Sequence, residues 1–468
     1  MDSSFCNSRC TICNSSGELM KSLKKRWLAG MASLVATALM VTSCGGGGAT
    51  ETAPTGGRES FKGTNLRVLL KEGYEIQAIQ QFKGEFEQAT GIKVDLEVYD
   101  EPTARQKLVL DSTSGTGTYD VTSGSFWNMP EFVSAKWLEP LDEYVSKAKD
   151  EWLEMDNIPK GALESMTIDG KLYALPHTII GGMFFYRADV FQELGIQPPQ
   201  TTDEILAAAK VIKEKRPDLV PFSARGASTF ASLGTEIGWS YGYDALLFDK
   251  DGNPKANSPE MKKAMADFVT LMKDYGPSDA ATLTFTQAGE KFSSGQAAMM
   301  FDTSGFGTIF EDAKQSQVAG KIGYTLPTGP SGKKLQWLYN EGLAITAKSK
   351  NKNAAWLFLQ WRMSRDTTMK ELTQLNRTDV PNLNVLQSKE YTDYMASKGL
   401  EEFSTALQGS WEGTTAEHWP FYPEFTSIGD TFTKEISAAI AGSKSVDDAL
   451  ETAQSELTTI MKNAGHLK

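Results

Sequence analysis

Apolar positions alternate with polar ones at Leu66, Val68 and Leu70, the period of a half-buried strand. Ile76, Ile79, Phe82 and Phe86 follow at spacings of three and four, which places them on one face of a helix. Thr90-Gly91 ends that helix, because glycine accepts a left-handed cap. Ile92, Val94, Leu96 and Val98 then alternate again. Strand, helix, strand predicts a βαβ unit and a parallel sheet. Later helices carry start signals. Thr201 with Glu204 makes a capping box ahead of Ile205 and Leu206. Ser258-Pro259 supplies an N-cap and a proline in the first turn, and Met261, Met265, Phe268 and Met272 line one face behind it. Ser445 caps the last helix, whose stripe is Val446, Leu450, Ala453, Leu457 and Ile460. These stripes read as core rather than as a cofactor box.

The first sixty residues have another pattern. Lys21, Lys24, Lys25 and Arg26 precede an uncharged run from Trp27 to Val41, and small residues Thr42 and Ser43 precede Cys44. The run is short for a bilayer span, so residues 20–43 read as a signal peptide rather than an uncleaved anchor. Leu39-Met40-Val41-Thr42-Ser43-Cys44 resembles a bacterial lipobox, which implies lipidation of Cys44. On either reading the body lies outside the cytoplasm. Residues 1–19 stand in front of this signal, and a start at Met20 accounts for them. In residues 44–60 four glycines follow Cys44 and the stretch continues polar, the composition of a flexible tether with a reach of roughly 20 Å.

Composition narrows the function. The 468 residues suit two or three domains. A net charge of −12 argues against a nucleic-acid partner. The four cysteines, Cys6, Cys10, Cys13 and Cys44, all lie in the first 44 residues, so the body has no disulfide, thiolate metal site or cysteine nucleophile. The C-x3-C-x2-C spacing at Cys6 resembles a radical SAM cluster loop, but a signal peptide follows it where a cytoplasmic barrel is needed, and it reads as chance. No nucleotide-binding glycine motif, P-loop or H-E-x-x-H occurs, and His177, His418 and His466 lack metal-pair spacing. S-x-x-K occurs at Ser146, Ser331 and Ser349 without its companion motifs. Asp249-Lys-Asp251-Gly-Asn253 with Glu260 resembles a calcium loop, but Pro254 stands where the sharp turn needs glycine, so it reads as a hairpin turn. No metal, cofactor or catalytic residue is expected.

The aromatic supply is high, with 10 Trp, 14 Tyr and 23 Phe. Trp127, Trp239, Tyr241 and Trp411 sit beside glycine and polar residues in stretches that look like turns. Such rings either pack a loop or face a ligand, and sugars offer apolar C–H faces for stacking.

From about Phe61 to Ile460 the chain resembles family 1 extracellular solute-binding proteins of ABC importers. The resemblance rests on Tyr119-Asp120-Val121 with Trp127, Trp137 to Asp142, Gly170 to Pro176 leading to Phe185 to Phe191, and Pro198 to Thr201. Phe292 to Met299, Ile322 to Pro327, Leu343 to Ile345, Ser349 to Asn351 and Ala354 to Trp356 continue it in order. Arg225-Gly226, Tyr275-Gly276-Pro277 and Met300 to Thr303 are similar to the sugar and sugar-alcohol receptors. Relatives often have an aromatic residue where this chain has Glu341.

The resemblance implies an α/β, periplasmic-binding-protein-like fold of two lobes, each with a mainly parallel sheet, and a ligand cleft between them. Lobe 1 is expected at 61–178 plus 328–378 and lobe 2 at 179–327 plus 379–468, with crossings near Pro176–Gly182, Thr325–Pro330 and Arg377–Pro381. The implied function is capture of a sugar or polyol and its delivery to an ABC permease by a monomer that meets the membrane only through lipid. Trp127, Trp239, Tyr241 and Trp411 are stacking candidates. Glu72, Arg225, Asp302 and Glu341 are candidates for ligand hydroxyls, with an ion pair as the structural alternative for Arg225 and Asp302. A receptor for a polyamine or peptide, and a secreted glycosidase, are the rival readings.

Overall fold

The computed structural model describes residues 58–147, 152–153, 155–411 and 418–467. The signal peptide, Cys44 and the tether fall outside this range. β1 (Asn65–Lys71) and β2 (Lys93–Tyr99) pair in parallel over their whole lengths, with the helix Gln77–Thr90 between them. Its buried face is Ala78, Ile79, Phe82, Phe86 and Thr90, as the spacing predicts. β3 (Val121–Ser125) pairs in parallel with the other edge of β1. β4 (Thr167–Ile168) and β5 (Lys171–Leu172) form a small hairpin.

β6 (Ala174–Arg187) is 14 residues long, about 46 Å at the usual rise, and is buried almost throughout. Its first half pairs with β10 (Leu338–Ile345), and its second half with β8 (Ala297–Thr303) and β9 (Ile322–Thr325). β7 (Val220–Ser223) completes the order β2-β1-β3-β10-β6-β8-β7. The expectation of mainly parallel sheets needs correction. β1–β2, β1–β3 and β7–β8 are parallel, whereas β10–β3, β10–β6, β6–β8 and β6–β9 are antiparallel. The reason is that β6 carries the chain from one half of the sheet to the other, and β10 brings it back in the opposite direction.

β6 runs unbroken through Pro176–Gly182, the first expected crossing. After β9 the chain stays with the second half for longer than expected. Thr328 bonds to Gln200, the Ser331 hydroxyl donates to Gly242 O at 2.7 Å, and Lys334 Nζ donates to Gly409 O at 2.9 Å. The return comes at Trp337–Leu338, past Thr325–Pro330, because these bonds hold the intervening loop. At Arg377, Nη2 donates to the Thr178 hydroxyl at 3.2 Å, tying the third segment to β6.

Local signals translate directly. Thr201 Oγ1 accepts from Glu204 N, and the Glu204 carboxylate accepts from Gln200 N, one residue earlier than a strict capping box. Ser258 and Ser445 cap the helices Pro259–Asp274 and Val446–Asn463. Met261, Met265, Phe268 and Met272 are fully buried. Asp249 to Asn253 is the turn of a tight hairpin. Asp249 Oδ1 accepts from the backbone N–H groups of Asp251 and Asn253, and Phe248 pairs with Pro254. Those bonds, with Asn253 first, hold the Asp249 carboxyl at about 2.

Candidate ligand cleft

β1 leads to β2 on one side of the sheet, and β3 lies on the other side. The connections leaving the carboxyl ends of β1 and β3 therefore part, and in open α/β sheets such a switch point makes a crevice for ligands. The segments there are Lys71 to Ile76 and Ser125 to Asn128. The Asn128 side chain accepts from Ser125 N at 3.1 Å and sets the turn that carries Phe126 and Trp127.

β10 supplies Tyr339 and Glu341 to the same place. Glu341 is fully buried at a bulge, where it faces Thr178 while Gly342 faces Pro176, so His177 is the extra residue of β6. Glu341 Oε2 accepts from the Tyr339 hydroxyl at 2.7 Å and the Ser125 hydroxyl at 2.8 Å, and lies 3.0 Å from Lys71 Nζ. Its Oε1 is buried without a partner. Glu75 Oε1 lies 3.6 Å from Lys71 Nζ. Burial opposes the Lys71 charge, but Glu341, Tyr339 and Glu75 outweigh it and push its pKa well up. Burial and then Glu341 raise the Glu75 carboxyl. Burial and then Glu341 also raise the Tyr339 hydroxyl.

Beside this cluster, Arg362 is fully buried. It forks onto both Glu371 oxygens at 2.9 and 2.7 Å and donates to His177 O at 3.0 Å. Arg377 Nε donates to Asp379 Oδ1 at 3.1 Å.

Across β6 lies a second charged pair. Arg225 forks onto Asp302, with Nε to Oδ2 at 2.9 Å, and Nη1 donates to Ala231 O at 2.6 Å. The guanidinium carbon stands 5.3 Å from the Trp337 ring centre and 4.8 Å from that of Phe285. Trp337 is buried against three glycines. A Cβ on Gly182 would lie 2.8 Å, on Gly238 2.4 Å and on Gly234 3.1 Å from its indole. Gly234 and Gly238 are one turn apart in the helix Leu233–Tyr241 and leave a flat slot for the ring.

Rings connect the two charged groups. Trp127 lies 5.0 Å from Tyr339 and stacks on Phe425 at 5.7 Å and 12°. Phe126 lies 4.7 Å from Trp419, and Trp419 lies 6.1 Å from Trp337. Trp419 Nε1 donates to Leu338 O at 2.7 Å. The buried polar atoms along this run that receive no partner include Glu341 Oε1, Trp337 Nε1, Gln336 Oε1 and Asp379 Oδ2. Hydroxyl groups, which both donate and accept, would satisfy this set.

The structure brings most of the sequence candidates together. Glu341 and Trp127 lie at the switch point, and Arg225 and Asp302 lie beside Trp337. Tyr241 sits 5.2 Å from His418, itself 5.7 Å from Trp419. A Cβ on Gly181 would meet Ser410 and Trp411, which places Trp411 against the middle of β6. Two candidates do not join them. Trp239 is wholly buried among Phe222, Tyr243, Phe268 and Phe301. The stretch around it is not a turn but the helix Leu233–Tyr241, and the turn that puts Gly238 on Trp337 aims Trp239 into the core. Glu72 is at the switch point, but its side chain is exposed and its described bond is backbone, to Tyr99 O. The stretch at Trp411 also ends a helix, Glu401–Trp411, rather than lying in a loop.

Sequence reading passed over Lys71, Glu75, Tyr339, Trp337 and Trp419. The available signal was Gly234 and Gly238 inside a helix, since glycine costs helix stability unless something must approach closely.

His177 and His418 are buried. Burial first, then Arg362, Arg377 and Lys71, holds the His177 imidazole well below its ordinary value. Burial first, then Lys333, lowers His418 to about 3. Both folded values lie below the unfolded value of about 6.5. Their contribution is thus complete above that pH and is lost as pH falls through it. Denaturant unfolding is expected to show lower stability one unit below 6.5 than at neutral pH, by about 1 kcal/mol for His418, and H418Q should remove that share. Equal loss in H418Q and the native chain would mean that His418 is protonated in the fold.

Residues 72–368 match the bacterial extracellular solute-binding protein family, and the chain belongs to it. The mannitol-binding protein of Pseudomonas aeruginosa is 27% identical over 421 residues, covering 86% of this chain and 94% of that protein. An ABC transporter solute-binding protein of Agrobacterium vitis, solved with bound D-mannitol, superposes with a TM-score of 0.70 at 28% identity, over 86% of this chain and 100% of that one. One from Agrobacterium radiobacter, in complex with ribitol, gives 0.74 at 25% identity, over 86% and 99%. The fold is the periplasmic-binding-protein-like fold, and the family is one of extracellular binding proteins. No helix among the described residues is long and apolar enough to cross a membrane.

Proposed function

We propose that this chain is an extracytoplasmic receptor that captures a sugar alcohol or sugar in the cleft and hands it to an ABC importer. The observation that carries the reading is the internal pairing of charge. Arg225 is matched by Asp302, and Lys71 by Glu341. A site whose charges are already paired, walled by indole and phenyl rings and left with hydrogen-bonding atoms to fill, suits an uncharged polyhydroxylated ligand. A polyamine needs an uncompensated carboxylate, and Glu341 already faces Lys71. The relatives that bind mannitol and ribitol support the same ligand class.

Residues 61–178 with the span up to about 378 form lobe 1, with its return at Leu338 rather than 328. The rest forms lobe 2. The lobes hinge where β6, the 337–338 step and Arg377 cross. The ligand favours the closed arrangement, which the importer recognises. Lipid on Cys44 and the glycine-rich tether hold a monomer at the membrane, and the work is binding without turnover. A melting screen of polyols, sugars and polyamines tests the ligand class. At about a hundredfold excess over Kd, the matching polyol or sugar is expected to stabilise the fold by about 2.7 kcal/mol. A shift with polyamines alone would overturn the assignment.

A further inference from the structure

Glu341 distributes its bonds unevenly. Tyr339, Ser125 and Lys71 all address Oε2, while Oε1, equally buried, receives nothing. A carboxylate oxygen in that position waits for a donor. The donor could be a neutral hydroxyl or an ammonium, and Lys71 decides between them. Its Nζ stands 3.0 Å from Glu341 Oε2 and 3.6 Å from Glu75 Oε1, and the two carboxylate side chains are 0% and 7% exposed. Without that ammonium, two buried carboxylates would share one gap. Such a pair must take up a cation or a proton.

We propose that Lys71 sets the charge selectivity of the cleft. Its ammonium fills the place in which a ligand amine would be received, so that Glu341 Oε1 accepts a hydroxyl from an uncharged ligand. Glu341 and Glu75 thus form a latent amine site that the protein occupies with its own side chain. This rests on the polyol reading above and goes beyond it by naming the residue that excludes amino sugars and polyamines. An aromatic residue at 341 would need no such counter-charge. Lys71 and Glu341 act as a unit.

The test is calorimetry with D-mannitol and with 1-amino-1-deoxy-D-mannitol at about pH 8, where an alkyl amine stays charged. The native chain is expected to prefer mannitol by about tenfold or more, K71R to keep that order, and K71M to reverse it. Native binding of both ligands alike, or an unchanged preference in K71M, overturns the role of Lys71 and leaves the polyol reading standing. If no polyol or sugar binds the native chain, the polyol reading fails, and spermidine then tests Lys71 by itself. A melting shift in K71M but not in the native chain supports the role, and no shift in either rejects it. Should K71M not fold, E341Q serves. Releasing Lys71 from its main partner should raise binding of D-gluconate relative to mannitol by about tenfold, and no gain would refute the proposal.

Discussion

Replacing Glu371 with alanine is expected to lower the stability of the fold by about 3–5 kcal/mol, read as a drop in the urea midpoint. Arg362 and Glu371 are both fully exposure-free, and their fork is the most deeply buried ion pair near the cleft. Removing Glu371 leaves a guanidinium in the core, held at Nη2 only by His177 O, with Arg377 as a like charge nearby. Burial, the largest influence on Arg362, already lowers its pKa even with Glu371 present. The double variant R362M/E371L should cost much less than E371A, because it removes both charges and keeps an apolar fill. A loss below about 1 kcal/mol for E371A would mean that water reaches Arg362. The pair sits where the helices Lys352–Met363 and Arg365–Leu375 meet the first half of β6. The same variant should therefore loosen the crossing at Pro176–Thr178 as well as weaken the fold.

Replacing Trp239 with alanine is expected to cost about 3–5 kcal/mol, the range for emptying a large aromatic from a core. The ring centroids of Phe268 at 5.8 Å, Phe301 at 6.2 Å, Phe222 at 6.4 Å and Tyr243 at 6.5 Å surround it, and no part of it is exposed. Phe222 and Phe301 belong to the sheet and Phe268 to the helix Pro259–Asp274, and they cannot collapse far into the gap. Ligand affinity, measured where the variant is still folded, should stay within a few-fold of the native value. Loss of affinity without loss of stability would return Trp239 to the ligand site. W239F should lie much closer to the native chain, since it keeps an apolar ring in place.

Trp239 and Trp337 show why some of the site was legible and some was not. Both are tryptophans in glycine-containing stretches. The sequence offered Trp239 because Gly238 and Gly242 flank it, the usual sign of a turn. Those glycines serve a different purpose. Gly238 is needed because Trp337, nearly a hundred residues away, lies flat on the helix there. The signal was real but belonged to the neighbour in space. Arg225, Asp302 and Glu341 were suggested by resemblance, since single charged residues have no period. Lys71, the partner of Glu341, was missed for that reason, lying at the polar end of a strand where a lysine is ordinary.

What the sequence by itself determined was local and periodic. The parallel βαβ opening, the capped helices with their buried stripes and the Asp249 turn follow from contacts within a few residues, so spacing alone reveals them. The order of blocks along the chain pointed to the family that the match over residues 72–368 shows. Tertiary structure decided what depends on residues far apart. The antiparallel crossing of β6 and β10, the bulge at Glu341, the pairing of Lys71 with that carboxylate and the slot for Trp337 all join residues separated by tens to hundreds of positions. No periodicity encodes such meetings. They arise because burying charge requires an opposite charge and burying an indole requires a flat surface, wherever along the chain these are found.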